Sequence, residues 1–76
     1  MCVFFKSLSG HTESLRVNYD EKISSVKDKF QYHFGIPPAY IKFIFAGKEL
    51  EDEKRLNDYN IMRESTIHAP VRIRGD

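Results

Sequence analysis

One stretch of this chain restricts the fold more than any other. Between Ile23 and Phe34 the apolar residues Ile23, Val26, Phe30 and Phe34 recur at helical spacing, with polar residues filling the opposite face. Asp20 and Glu21 stand where a helix N-terminus favours negative charge. Gly35 stops the helix, and Pro37-Pro38 prevents its continuation. No other stretch of this length has helical spacing, and the remaining apolar runs alternate with a period of two, so a single long helix must serve the whole sheet.

The opening run Met1 to Ser7 has strand chemistry, with Met1, Val3 and Phe5 on one face and Cys2, Phe4 and Lys6 on the other. A polar turn from Ser7 to His11 contains Gly10, which is free to take positive φ. Thr12 to Val17 returns as a second strand, with Leu15 and Val17 inward. Tyr40 to Phe45 reads as a third strand, with Ile41, Phe43 and Phe45 on one face. Ala46-Gly47 turns the chain into a short edge strand, Lys48 to Leu50. Glu51 to Arg55 is loop, Leu56 to Asn60 is a brief helical turn, and Thr66 to Val71 is the last strand. Ile67, Ala69 and Val71 share one face of it, and His68 and Pro70 the other. This order defines an α+β mixed sheet with one helix packed across it. The first and last strands are expected as parallel neighbours at its centre. Pro70 cannot donate to a ladder, so pairing should weaken there.

Composition limits what such a domain can do. Seventy-six residues make one domain with a small core. Twelve Lys and Arg oppose eleven Asp and Glu, which gives no electrostatic reason for a nucleic-acid partner or a membrane surface. A lone cysteine, Cys2, forms no internal disulfide, and a reducing compartment, cytoplasmic or nuclear, is expected. No apolar run approaches the ~18 residues of a membrane span.

By its motifs the chain resembles ubiquitin from end to end, without a gap. The resemblance rests on Gly35-Ile36-Pro37-Pro38, on Ile44-Phe45-Ala46-Gly47-Lys48 with Leu50-Glu51-Asp52, and on Asp58-Tyr59-Asn60-Ile61. Glu64-Ser65-Thr66 with His68, and Arg72 with Arg74-Gly75, complete it. It implies one β-grasp (ubiquitin-like) domain over residues 1–76, ending in a flexible tail at 72–76. It further implies no catalysis and attachment to lysines through a C-terminal diglycine. Phe5 and Phe30 replace smaller family residues and Val3 and Ala69 larger ones, which conserves core volume. Glu13 stands at an inward apolar position of the family, and Phe34 at an acidic one, a candidate exchange across the helix end. The family also pairs the lysine at position 27 with the residue matching Asp52.

No catalytic constellation is legible. Cys2 has no oriented base, the three histidines lack ligand spacing, and no glycine-rich phosphate loop is present, so no enzyme, metal or cofactor is expected. The expected functional surface is the outward sheet face, where Leu8, Ile44, His68 and Pro70 converge beside Gly47. Lys6, Lys42, Lys48 and Arg72 rim it and orient acidic partners. Tyr19, Tyr32, Phe34 and Tyr40 are also expected at the surface, either as a contact face to a neighbouring domain or as individually placed, partly buried aromatics. Lys6, Lys27, Lys29 and Lys48 match family chain-linkage positions, whereas His11, His33 and Arg63 have lost their lysines.

The segment Arg72, Arg74, Gly75 resembles the conjugating end, but Asp76 stands where the family has its second glycine. Its carboxylate adds bulk and charge beside the carbonyl to be activated, which disfavours ordinary conjugation. Two readings follow. One is a monomeric ubiquitin-like modifier or precursor unit, recognised by ubiquitin-binding domains and handled by the activation machinery or by a neighbouring intein-like processing domain. The other is a non-conjugated docking domain of a larger protein.

Overall fold

A computed structural model of the chain describes residues 1–72. Its elements are β1 (Cys2–Lys6), β2 (Thr12–Arg16), α1 (Ile23–Phe34), β3 (Ile44–Phe45), β4 (Lys48–Glu49) and β5 (Thr66–His68). Short 3₁₀ turns cover Pro38–Tyr40 and Leu56–Tyr59. The sheet order is β2-β1-β5-β3-β4; β1 and β5 run parallel and every other pair antiparallel. This is the mixed β-grasp sheet with one helix packed across it.

The helix buries Ile23, Val26 and Phe30 and ends at Gly35, whose φ of 74° is the left-handed conformation that suits glycine. Phe30 meets Phe5 at 5.4 Å and Phe43 at 5.5 Å, both edge-on at 70°, and Phe5 and Phe43 stand 5.0 Å apart. Three mutually touching rings thus join the helix to the inner face of the sheet. Val3, Phe5, Phe30 and Ala69 are all fully buried, so the large and small side chains share one core. Phe34 is half-buried, 4.7 Å from Phe30, and belongs to the edge of that core rather than to the open surface. Glu13 lies half-buried, and its carboxylate finds the His11 imidazole at 2.6 Å. Glu13 and Phe34 therefore have separate partners.

The helix start differs from expectation. Its N-cap is Lys22, and the first turn contains no acid. Carbonyls of the loop before Leu56 cap it instead: Ile23 N–H donates to Lys54 at 2.8 Å and Ser24 N–H to Asp52 at 3.1 Å. Glu21 lies just outside the helix, 7% exposed, and accepts from Asn18 N–H, the Ser25 hydroxyl and the Lys29 ammonium at 2.9, 2.7 and 2.8 Å. Burial alone raises its pKa. The hydrogen bonds from Lys29, Asn18 and Ser25, with the charge of Lys29, outweigh that effect and hold the carboxyl below the usual range. A depressed folded pKa contributes stability that is present above the unfolded value of about 4.3 and is lost as pH falls through the folded value. Glu21→Gln should therefore destabilise the domain by about 1–2 kcal/mol at neutral pH. Urea unfolding at a series of pH values checks this: the gap between variant and parent should narrow below about pH 4. A constant gap contradicts the assignment.

The first, second and fourth strands lose single end residues relative to expectation, whereas the third and fifth are shorter by several. Tyr40 lies in the 3₁₀ turn, where Pro38 takes the first position and Tyr40 and Ile41 N–H donate to Pro37 and Pro38 at 2.9 and 3.0 Å. Ile41 and Phe43 still point inward, at 4% and 0% exposure, but the ladder of β3 begins only at Ile44. The last strand ends at His68 rather than Val71. Both losses meet at Pro70. Ala69 N–H faces β1 and donates to the Lys6 carbonyl at 2.9 Å, so position 70 faces β3. The register that sets Ile44 opposite His68 brings Lys42 opposite Pro70, which has no N–H to give.

Candidate functional site: the outward face of the sheet

Strand register builds this face. Because Val3 and Phe5 point into the core, Cys2, Phe4 and Lys6 point out. Lys6 lies between Thr12 on β2 and His68 on β5; His68 is opposite Ile44 on β3, and Ile44 opposite Glu49 on β4. One row therefore crosses all five strands: Thr12, Lys6, His68, Ile44, Glu49. At ~4.8 Å per strand it spans about 19 Å. Ile44 is its apolar member and is half-buried, while the other four are exposed. A second row places half-buried Phe4 between Ser14 and Thr66.

Leu8 and Pro70 flank the first row. Leu8 is 61% exposed, yet its turn is well tied down. Ser7 N–H donates to His11 at 2.8 Å, Gly10 N–H returns to Ser7 at 3.0 Å with Gly10 at φ 90°, and Leu8 N–H reaches the Val71 carbonyl at 3.0 Å. Ala69 is buried, so its neighbours His68 and Pro70 face outward, and both are exposed. Gly47 is exposed in the two-residue β3–β4 turn, where φ of 54° at Ala46 and 77° at Gly47 gives the primed geometry of a tight hairpin.

The rim is less uniformly basic than the sequence reading has it. Lys6, Lys42, Lys48 and Arg72 are exposed, but Lys42 stands 3.9 Å from the Glu49 carboxylate. That pair is open to water and stabilises little; its effect is to put an acid at the end of the Ile44 row. Glu49 was absent from the expected patch, although the Ala46-Gly47 turn dictates it: a two-residue loop pairs 45 with 48 and 44 with 49. Alternation likewise turns Phe4 outward, with no role assigned to it by the sequence.

The four candidate acceptor lysines fall into two groups. Lys6 and Lys48 are exposed. Lys27 retains 11% side-chain exposure and donates to Asp52 at 2.6 Å, the partner the resemblance implies. Lys29 is held by Glu21 and by the Arg16 carbonyl at 3.2 Å. Arg74, Gly75 and Asp76, and with them most of the expected tail at 72–76, lie outside the described residues. Tyr19, Tyr32 and Tyr40 are exposed at 56%, 86% and 75%. Cys2 is an exposed free thiol. Among the described residues no three His, Cys, Asp or Glu side chains gather to hold a metal ion, and no helix is long and apolar enough to cross a membrane.

A parallel β1–β5 pair at mid-sheet, one helix across the inner face and an outward row centred on Ile44 define a ubiquitin-like β-grasp domain. The sequence model of the ubiquitin family matches residues 3–74, and the chain belongs to that family. It is 31% identical over 75 residues to ubiquitin-like protein 1 of Schizosaccharomyces pombe, covering 99% of this chain and 96% of that protein. It is also 31% identical over 75 residues to ubiquitin-like protein NEDD8 of Dictyostelium discoideum, covering 97% of it. Ubiquitin-like protein 4A of Esox lucius is 37% identical over 76 residues, and there the chain spans about half the relative's length, 49%.

Proposed function

We propose that this chain is a ubiquitin-like modifier or precursor unit that docks on ubiquitin-binding domains through Leu8, Ile44, His68 and Pro70, with Gly47 at the edge. The observation that carries this reading is the register row, which sets a half-buried isoleucine among exposed polar neighbours on an otherwise well-packed small domain. An apolar centre with a charged rim is the usual anatomy of a recognition patch. Lys6, Lys42, Lys48 and Arg72 steer acidic partners, and Glu49 limits which of them fit. The face itself has a binding role and no catalytic one. Calorimetric titration with an isolated ubiquitin-binding domain tests the reading. A saturable one-to-one isotherm supports it; no heat of binding at the highest attainable concentration overturns it.

Attachment to target amines is the second part of the proposal. Asp76 puts a carboxylate beside the carbonyl that would be activated at that residue, which disfavours the activating-enzyme route and favours transfer by a neighbouring intein-like processing domain. Lys48 and Lys6, whose ammonium groups are accessible, are the better chain acceptors; Lys27 and Lys29 are held in ion pairs. With activating enzyme and ATP, the 76-residue chain should give no thioester and the Asp76→Gly variant should give one. A thioester formed equally well by both contradicts the role assigned to Asp76. The rival reading, a docking domain of a larger protein, is favoured by the relative of twice this length. The coding sequence that follows Asp76 separates the two: a long continuation into another domain favours docking, and a repeat or intein-like segment favours a precursor.

A further inference from the structure

The segment from Ala69 to Arg72 joins the outward face to the C-terminal residues, and Pro70 determines what it is fastened to. In an unbroken sheet the N–H at position 70 would donate across to Lys42 on the β3 side. Among the described residues no backbone hydrogen bond joins these two positions. Val71 N–H turns back onto the Ala69 carbonyl at 2.6 Å. That closes a three-residue turn centred on Pro70, and the ring-fixed φ of proline suits an inverse γ-turn. The turn leaves the Val71 carbonyl in reach of Leu8 N–H, at 3.0 Å. A fastening to β3 has thus been exchanged for one to the β1–β2 turn.

We propose that Pro70 is a positioning residue that latches the C-terminal segment to the Leu8 turn. The latch holds Leu8, otherwise a side chain on an exposed turn, in register with the Ile44 row. It also makes the two regions interdependent: a partner that pulls Leu8 away breaks the bond to Val71 and releases Arg72, and a partner that draws out the tail releases Leu8. The functional consequence rests on the docking reading above. The latch itself is a property of the free protein.

Its test uses the free protein for that reason. Hydrogen-bond scalar couplings by NMR should join the Leu8 amide nitrogen to the Val71 carbonyl carbon in the parent chain. In Pro70→Val that coupling should vanish, and a new one should join the amide at position 70 to the Lys42 carbonyl carbon. Leu8 amide exchange should accelerate about three- to tenfold in the variant. Pro70→Ala, which restores the donor without a branched side chain, provides the same comparison should the valine perturb the fold. A Leu8–Val71 coupling absent from the parent overturns the latch, as does one that persists unchanged in both variants. Failure of any ubiquitin-binding domain to dock would leave these couplings as they are, so the latch and the docking reading fail separately.

Discussion

Phe30→Ala is expected to cost about 3–5 kcal/mol, among the largest stability losses of any single truncation in this domain. The ring is fully buried and touches three others: Phe5, Phe34 and Phe43. Alanine removes the transfer energy of the ring, leaves a cavity between helix and sheet, and deletes two edge-on contacts worth roughly 0.5–1.5 kcal/mol each. The loss is large against the roughly 4–11 kcal/mol that a domain of this length commands. Thermal unfolding followed by circular dichroism should show Tm lowered by about 15–30 °C. Phe34→Ala, at the edge of the same cluster, should cost less, about 1–2 kcal/mol, because that ring is only partly buried. Equal losses from the two variants would mean that the cluster is not organised around Phe30.

Ile44→Ala should have the opposite profile, with a large effect on binding and a small one on folding. The side chain lies on the outward face, half-buried and apart from the core cluster, so truncation leaves the core intact and should cost no more than about 1.5 kcal/mol of stability. It stands at the centre of the outward face, between His68 and Glu49, where a partner would desolvate it completely. Affinity for a ubiquitin-binding domain should fall by about tenfold to thirtyfold, the range expected when a central apolar anchor is lost. Leu8→Ala, at the margin of the patch, should lose less. Tyr32→Ala, on the exposed side of α1, should bind like the parent.

How much of this was readable depended on whether a residue's neighbours lie close in sequence. The helix was read to both ends because its stop signals, Gly35 and Pro37-Pro38, are local and its period is self-contained. Its N-terminal electrostatics were not. Glu21 turns toward Ser25 and Lys29 while loop carbonyls from Asp52 and Lys54 cap the helix, a tertiary arrangement with no signature in residues 20–23. In the third and fifth strands, alternation correctly reported which side chains are buried: Ile41, Phe43, Ile67 and Ala69. It could not report whether the backbone was paired, since pairing depends on the residue opposite, and Pro70 removes the donor that Lys42 would have met. The patch followed from the same alternation and from the resemblance, which together put Leu8, Ile44, His68 and Pro70 on one side. Glu49 joins the patch only through the register that the Ala46-Gly47 turn imposes on β3 and β4, which alternation within one strand does not carry. Phe34 takes the partly buried alternative, because its four-residue spacing from Phe30 on the apolar stripe sets the two rings 4.7 Å apart at the edge of the core.

The central claim is that the outward sheet face, and not the helix, meets the partner. Chemical-shift mapping of the ¹⁵N-labelled chain, titrated with an unlabelled ubiquitin-binding domain, tests it most directly. The predicted result is a contiguous set of shifted amides at Leu8, Ile44, Gly47 and His68, fading along the rim at Lys6, Lys42 and Lys48. Shifts confined to the outer face of α1 around Tyr32, or none at saturating partner, would contradict it.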